Sequence, residues 1–170
     1  LGEYRVMTSS GSSGRKAVFV YDRAGWRGVL TMFLRRSDWV GFRPRLPRLR
    51  LALIGGGAPT HMSRRGAQSL DVGAHRLLGL AVTQPLDQLV RALNEFRPDF
   101  MNVYPSTAGL LADEQMAGRL RLSLRGLTTN SEPITPGTRD RLERAFGVRP
   151  TDFYATTEGV WGHDCPEGSM

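Results

Sequence analysis

The chain has 170 residues, 40% of them hydrophobic and 23% charged, which suits an ordinary folded domain or a piece of a larger one. Its net charge of +7 arises from 23 Lys+Arg against 16 Asp+Glu, a surplus that fits an anionic cofactor, an acidic partner, nucleic acid or simply a GC-rich genome. The single cysteine, Cys165, excludes an internal disulfide framework and fits a reducing cytoplasm. No apolar run reaches the roughly 18 residues of a membrane span, and no signal peptide is visible.

Two short apolar runs of strand character, residues 4–7 and 17–21, flank the stretch Thr8-Ser9-Ser10-Gly11-Ser12-Ser13-Gly14-Arg15-Lys16. Five hydroxyls, two glycines and two cations stand there without an apolar side chain. Glycines let a backbone turn and approach a ligand closely. Hydroxyls and exposed N–H groups can donate to phosphate oxygens, with Arg15 and Lys16 adding positive charge. A flexible Ser/Gly hairpin loop or linker has the same composition. The spacing is not that of a Walker loop.

A helix is expected over residues 22–39, with Asp22 as N-cap and Trp26, Val29, Leu30 and Phe33 on one face. Gly25 and Gly28 weaken its start, and Gly41 and Pro44 end it. Residues 43–50 form a basic, proline-punctuated connection. As a nucleic-acid surface this segment lacks interleaved aromatics to stack on bases.

Residues 51–54 (Leu-Ala-Leu-Ile) read as a buried parallel strand running into the turn Gly55-Gly56-Gly57-Ala58-Pro59. Strand ends of this kind collect ligands in open α/β sheets. Then follow a strand at 75–82 and a helix at 85–96 with Leu86, Leu89, Val90 and Leu93 inward. Next come a strand at 100–104 and a helix at 105–116 with Leu110 and Leu111 inward. A strand at 126–129 leads into Asn130-Ser131-Glu132-Pro133. Thr135 caps a helix at 136–146, with Leu142 and Phe146 inward, and a strand at 152–154 leads into residues 155–159. Strands alternating with helices predict an α/β fold with a mostly parallel sheet flanked by helices.

Three polar loops stand beside strands: residues 8–16, 130–133 and 155–159. The first resembles the phosphate-binding signature of adenylate-forming (AMP-binding) enzymes. Ser131-Glu132-Pro133 and Tyr154-Ala155-Thr156-Thr157-Glu158 resemble two further signatures of that superfamily, in the same order. Tyr104-Pro105-Ser106, Glu132-Pro133, Ala145-Phe146-Gly147 and the Cys165-Pro166 turn resemble the phenylacetate–CoA ligase-like branch. The resemblance covers essentially the whole chain.

It implies that residues 1–170 are part of the large N-terminal adenylation domain, with the mobile C-terminal domain absent. Ser9, Ser10, Gly11, Ser12, Ser13, Gly14 and Lys16 would wrap the β- and γ-phosphates of ATP. Ser131, Glu132 and Pro133 would line the adenine pocket, with Tyr154 on the base. Thr157 would bond the α-phosphate and Glu158 would ligate Mg²⁺, so that Lys16, Thr157 and Glu158 carry the catalysis. Tyr104, Pro105, Ser106, Gly56 and Gly57 would border the acyl pocket.

The implied reaction joins a carboxylic acid, aryl or arylacetic at family level, to ATP and then to CoA. It places the protein in the cytoplasm and leaves its oligomeric state open. Ser12, Ser13 and Arg15 depart from the usual Thr-Thr and proline of the phosphate loop, and Ala155 stands where glycine is common. The family's ribose-binding aspartate and C-terminal lysine would lie beyond Met170, and the chain opens on Leu1, so it reads as a fragment incomplete for catalysis. Alternatives are an adenylating relative with a non-CoA acceptor, in capsule or secondary-metabolite biosynthesis, and a non-catalytic basic module binding nucleotide or nucleic acid. His163, Asp164 and Cys165 offer metal donors without the paired spacing of a structural zinc site.

Overall fold

The computed structural model describes residues 4–9, 15–39, 41–43, 46–58, 60–69, 71, 73, 75–159 and 161–164. Ser10, Gly11, Ser12, Ser13 and Gly14 of the serine-rich loop, Pro44, Pro59 and Cys165 lie outside them.

Strands β1 (Arg5–Thr8) and β2 (Val18–Tyr21) form an antiparallel hairpin, a two-stranded sheet of its own. Helix α1 (Arg23–Trp39) follows, and Asp22 caps it by accepting from the Gly25 N–H at 2.7 Å. Then come β3 (Arg50–Gly55), α2 (Met62–Ser69), β4 (Arg76–Ala81), α3 (Leu86–Phe96), β5 (Phe100–Val103), α4 (Pro105–Met116), β6 (Gly126–Asn130), α5 (Pro136–Phe146), β7 (Thr151–Ala155) and β8 (Trp161–His163). The second sheet runs β4-β3-β5-β6-β7-β8, parallel throughout except for antiparallel β8.

The core sits between one face of this sheet and helices α3, α4 and α5. Ala52, Ile54, Met101, Val103 and Leu127 project there onto Leu89, Leu93, Leu111 and Leu142. Side chains alternate along a strand, so Leu53, Asn102, Thr128 and Asn130 project to the other face. Right-handed crossovers place α2 on that second face, because β3→α2→β4 runs opposite to the later connections. Met7, Trp26 and Val29 form a separate small core with Phe19, Tyr21, Phe33 and Met62, uniting the hairpin, α1 and α2. Among the described residues no helix is long and apolar enough to cross a membrane.

The expected α/β architecture is present, with two additions and one correction. Helix α2 and strand β8 were not expected. Leu110, expected inward, is 52% exposed, whereas Leu111 is fully buried. The buried face of α4 is built of Thr107, Ala108, Leu111 and Ala112, and Leu110 falls off it by one 100° step.

Candidate active site

The strand order puts a topological switch point between β3 and β5, since the chain leaves β3 toward β4 on one side and returns to β5 on the other. A crevice opens beyond the carboxyl ends of strands at such a point. Here it is bridged by one hydrogen bond, from the Gly56 N–H just after β3 to the Tyr104 hydroxyl just after β5, at 3.1 Å. A Cβ at Gly56 would lie 2.3 Å from the His61 ring, so any side chain there would have to displace that imidazole.

On one side of Tyr104 a cavity of about 450 Å³ collects residues from stretches far apart in the sequence. Thr8 and Ser9 come from the hairpin, His61 from the start of α2, Ser131 and Glu132 from the loop after β6, and Thr157 and Glu158 from the loop after β7. Those after β6 and β7 arrive together because parallel strands deliver their carboxyl ends to one edge. Ser9 is held by the returning strand: its Oγ accepts from the Ala17 N–H at 2.9 Å, and its N–H donates to the Ala17 carbonyl at 3.0 Å. Thr8 is tied to the connection between β3 and α2 through a hydroxyl pair with Thr60 at 2.8 Å. Ser131 takes a left-handed φ of 69°, with its Oγ donating to Asn130 Oδ1 at 2.7 Å.

The two carboxylates differ in state. Glu132 accepts from the Ser106 N–H at 2.9 Å and from the Ser106 hydroxyl at 3.0 Å, so it closes the amino end of α4. Glu158 is exposed, and its charge reaches the Tyr21 phenol, whose pKa is pushed up first by burial and then by Glu158. The Tyr21 hydroxyl donates to the Thr157 carbonyl.

On the other side of Tyr104 a second cavity of about 350 Å³ lies between the sheet and α2. Leu53, Leu77, Gly79 and Ala81 give it an apolar floor, and Arg64 and Gln68 of α2 stand across from them. Tyr104 and Asn130 line both cavities. Behind them Asn130 Nδ2 donates to Asn102 Oδ1 at 2.9 Å, and Asn102 Nδ2 donates to Thr128 Oγ1 at 2.6 Å, a buried polar row.

The expected site residues therefore divide. Ser9, Ser131, Glu132, Thr157, Glu158 and Tyr104 gather at the first cavity, and Gly56 joins Tyr104 at the second. Lys16, exposed before β2, Pro133, and Tyr154 at 57% exposure are not among the described residues lining either. Gly57 is exposed with its carbonyl bonded to Arg64 at 2.8 Å, Pro105 is the buried first residue of α4, and Ser106 holds Glu132. His61, Tyr21, Asn102 and Gly79 were not singled out beforehand; of these only Asn102 carried a signal, an amide inside an apolar strand. Asp164 is buried against Arg139 Nη1 at 2.6 Å and His163 Nδ1 lies 2.7 Å from the Asp164 carbonyl. Among the described residues no group of three His, Cys, Asp or Glu stands close enough to share a metal.

No protein-family model matches the chain. It is 27% identical over 160 residues to the phenylacetate–coenzyme A ligase of Thermus thermophilus, a match covering 91% of this chain and 34% of that protein. It also superposes on 2-hydroxyisobutyryl-CoA ligase, solved in an open conformation with 2-HIB-AMP and CoA, with a TM-score of 0.71 and 25% identity. That match spans 92% of this chain and 36% of the ligase. An ATP-bound RpMatB-BxBclM chimera shares the fold, with a TM-score of 0.66 and 17% identity over 96% of this chain and 31% of the chimera. The proteins this chain is similar to are adenylate-forming CoA ligases, and it spans about a third of their length.

Proposed function

We propose that the chain is part of the N-terminal adenylation domain of an ATP-dependent acid–CoA ligase acting on an aryl or arylacetic acid. The observation that carries this reading is the pair of adjoining cavities divided by Tyr104: one bordered by hydroxyls and the exposed Glu158 carboxylate, the other floored by Leu53, Leu77, Gly79 and Ala81. ATP fits the first and an apolar acyl group the second, whose 350 Å³ lies within the usual range for small-ligand pockets.

The acid's carboxylate then meets the α-phosphorus at the boundary. Its oxygen forms a bond to phosphorus as the bond to pyrophosphate breaks, giving acyl-adenylate; the CoA sulfur next displaces AMP from the acyl carbon. No protein nucleophile is needed, and catalysis comes from holding the reactants in line and stabilising charge on phosphate. Ser9, Ser10, Gly11, Ser12, Ser13, Gly14 and Lys16 hold the β- and γ-phosphates, and Thr157 holds the α-phosphate. Ser131, Glu132, Pro133 and Tyr154 receive the adenine. The donor set suits Mg²⁺, which takes one or two carboxylates and keeps its remaining positions for phosphate and water: Glu158 is exposed at the cavity wall while Glu132 is already engaged. Bound there, the ion would offset charge on the phosphates. The isolated 170-residue chain, a third of its relatives' length, is taken to be insufficient for turnover.

Acid-dependent ATP–pyrophosphate exchange on the full-length protein, with a panel of aryl and aliphatic acids, tests the proposal. Exchange that needs an aryl acid and collapses in Lys16→Ala and Glu158→Gln supports it, and CoA thioester formation names the acceptor. Exchange with aliphatic acids alone overturns the substrate class, and absence of ATP binding overturns the nucleotide site.

A further inference from the structure

We propose that Tyr21 is a positioning residue whose hydroxyl holds the hairpin of Thr8 and Ser9 against the loop of Thr157 and Glu158, fixing the two walls of one nucleotide cavity relative to each other. The inference rests on the ATP-binding reading above. Its starting point is how lightly the hairpin is attached. Strands β1 and β2 pair with each other and not with the six-stranded sheet, and their side chains enter a small core separate from the main one. Hydrogen bonds tie the hairpin at both ends to loops that follow strands of the large sheet. At one end Thr8 meets Thr60, through its hydroxyl at 2.8 Å and its N–H at 3.4 Å. At the other, the Tyr21 hydroxyl donates to the Thr157 carbonyl across 136 positions of sequence.

The phenol is built to stay in place. Trp26 meets the Tyr21 ring edge-on at 5.9 Å and 64°, and Trp26 is itself anchored by donating from Nε1 to Ser69 of α2 at 3.2 Å. A tyrosine phenol is protonated at neutral pH, so it remains a donor there. Thr157 and Glu158 thereby inherit the position of β2, the strand that immediately follows the phosphate loop. Phosphate transfer depends on such relative placement, since misplacement by about 1 Å can cost on the order of a hundredfold.

The test is Tyr21→Phe in the full-length protein, which removes one oxygen and keeps the ring. Three quantities are read: equilibrium affinity for Mg·ATP, acid-dependent exchange, and CoA thioester formation from pre-formed acyl-adenylate. The adenylate has no β- or γ-phosphate, so it does not need the hairpin gripped against residues 157 and 158. Loss of roughly tenfold in Mg·ATP affinity, the size of one hydrogen bond to a neutral acceptor, with a parallel fall in exchange and an unchanged thioester step, is the expected result. An unchanged Mg·ATP affinity in a variant of a protein that does bind ATP overturns the role of Tyr21 alone. A fall of all three readouts together overturns it too, because a general loss of structure predicts that pattern. A wild-type protein that binds no Mg·ATP overturns the nucleotide site itself, and Tyr21 with it.

Discussion

Gly79, in the middle of β4 opposite Leu53, faces open space: a Cβ added there meets nothing within 4 Å. The space it faces is the 350 Å³ cavity, so the missing side chain is part of the proposed acyl pocket. Gly79→Leu is expected to fill that floor without a clash, leaving the melting temperature unchanged or higher. It should raise KM for aryl acids at least about tenfold in the exchange assay, since burying a ring is worth roughly 1.5–3 kcal/mol, while acetate and other small acids lose little. Equal losses for all acids would place the acyl group elsewhere. The two carboxylates of the proposed nucleotide cavity separate in the same manner. Glu158→Gln should raise the Mg²⁺ concentration needed for half-maximal exchange. Glu132→Gln should leave that Mg²⁺ requirement alone and instead loosen the start of α4, because both oxygens of Glu132 are spent on Ser106. A Mg²⁺ titration of wild type and the two variants decides between them.

At the scale of elements, helices α3, α4 and α5 were legible because each carries its own boundaries. Pro85, Pro105 and Pro136 open them, Thr135 Oγ1 accepts from the Thr138 N–H at 3.2 Å, and Gly147 closes α5 at φ 70°. Helix α2 was not legible, since Met-Ser-Arg-Arg-Gly-Ala-Gln-Ser has no apolar stripe. Its fit depends on Gly66, where a Cβ would lie 2.3 Å from the Phe33 ring of α1, a contact visible only once both helices are placed. Strand β8 has three residues and exists through its pairing to β7. What secures it is an ion pair that no local pattern announces. Arg139 of α5 binds Asp164 at 2.6 Å and the Pro150 carbonyl at 2.7 Å, while Asp164 also accepts from the Asp152 N–H at 2.9 Å. Removing one partner of a buried pair strands the other charge, at about 3–5 kcal/mol. Arg139→Met should therefore lower stability by roughly 3 kcal/mol, read as the shift in denaturant midpoint. A shift under about 1 kcal/mol, the level of an exposed pair, would mean that Asp164 is well solvated.

For the whole molecule, the loops at residues 130–133 and 155–159 lie apart in sequence and meet for a topological reason. Parallel strands β3, β5, β6 and β7 deliver all their carboxyl ends to one edge, and the crossover from β4 back to β5 opens the crevice there. The parallel sheet could be read from the alternation of strands and helices, but the strand order that opens the crevice could not. The hairpin's position could not, because it pairs with no strand of the large sheet and is placed by Tyr21, Thr8 and the contacts of α1 with α2. Two cores of unequal size follow. The large one unites α3, α4 and α5 with the sheet, whereas the small one has Met7, Trp26 and Val29 as its fully enclosed members. Less apolar burial means a lower cost of local opening. Amide hydrogen exchange on the full-length protein should accordingly find β2 and α1 exchanging faster than β5 and β6 in the absence of nucleotide. On the proposed reading, Mg·ATP bound between the hairpin and the loop of Thr157 and Glu158 would stabilise only the arrangement in which both are docked, by about 2.7 kcal/mol at a hundred times its Kd. It should therefore slow exchange in β2 and in residues 156–159 together, with β5 nearly unchanged. Protection confined to the β7 loop, with β2 still opening freely, would mean that the hairpin does not share in holding the nucleotide.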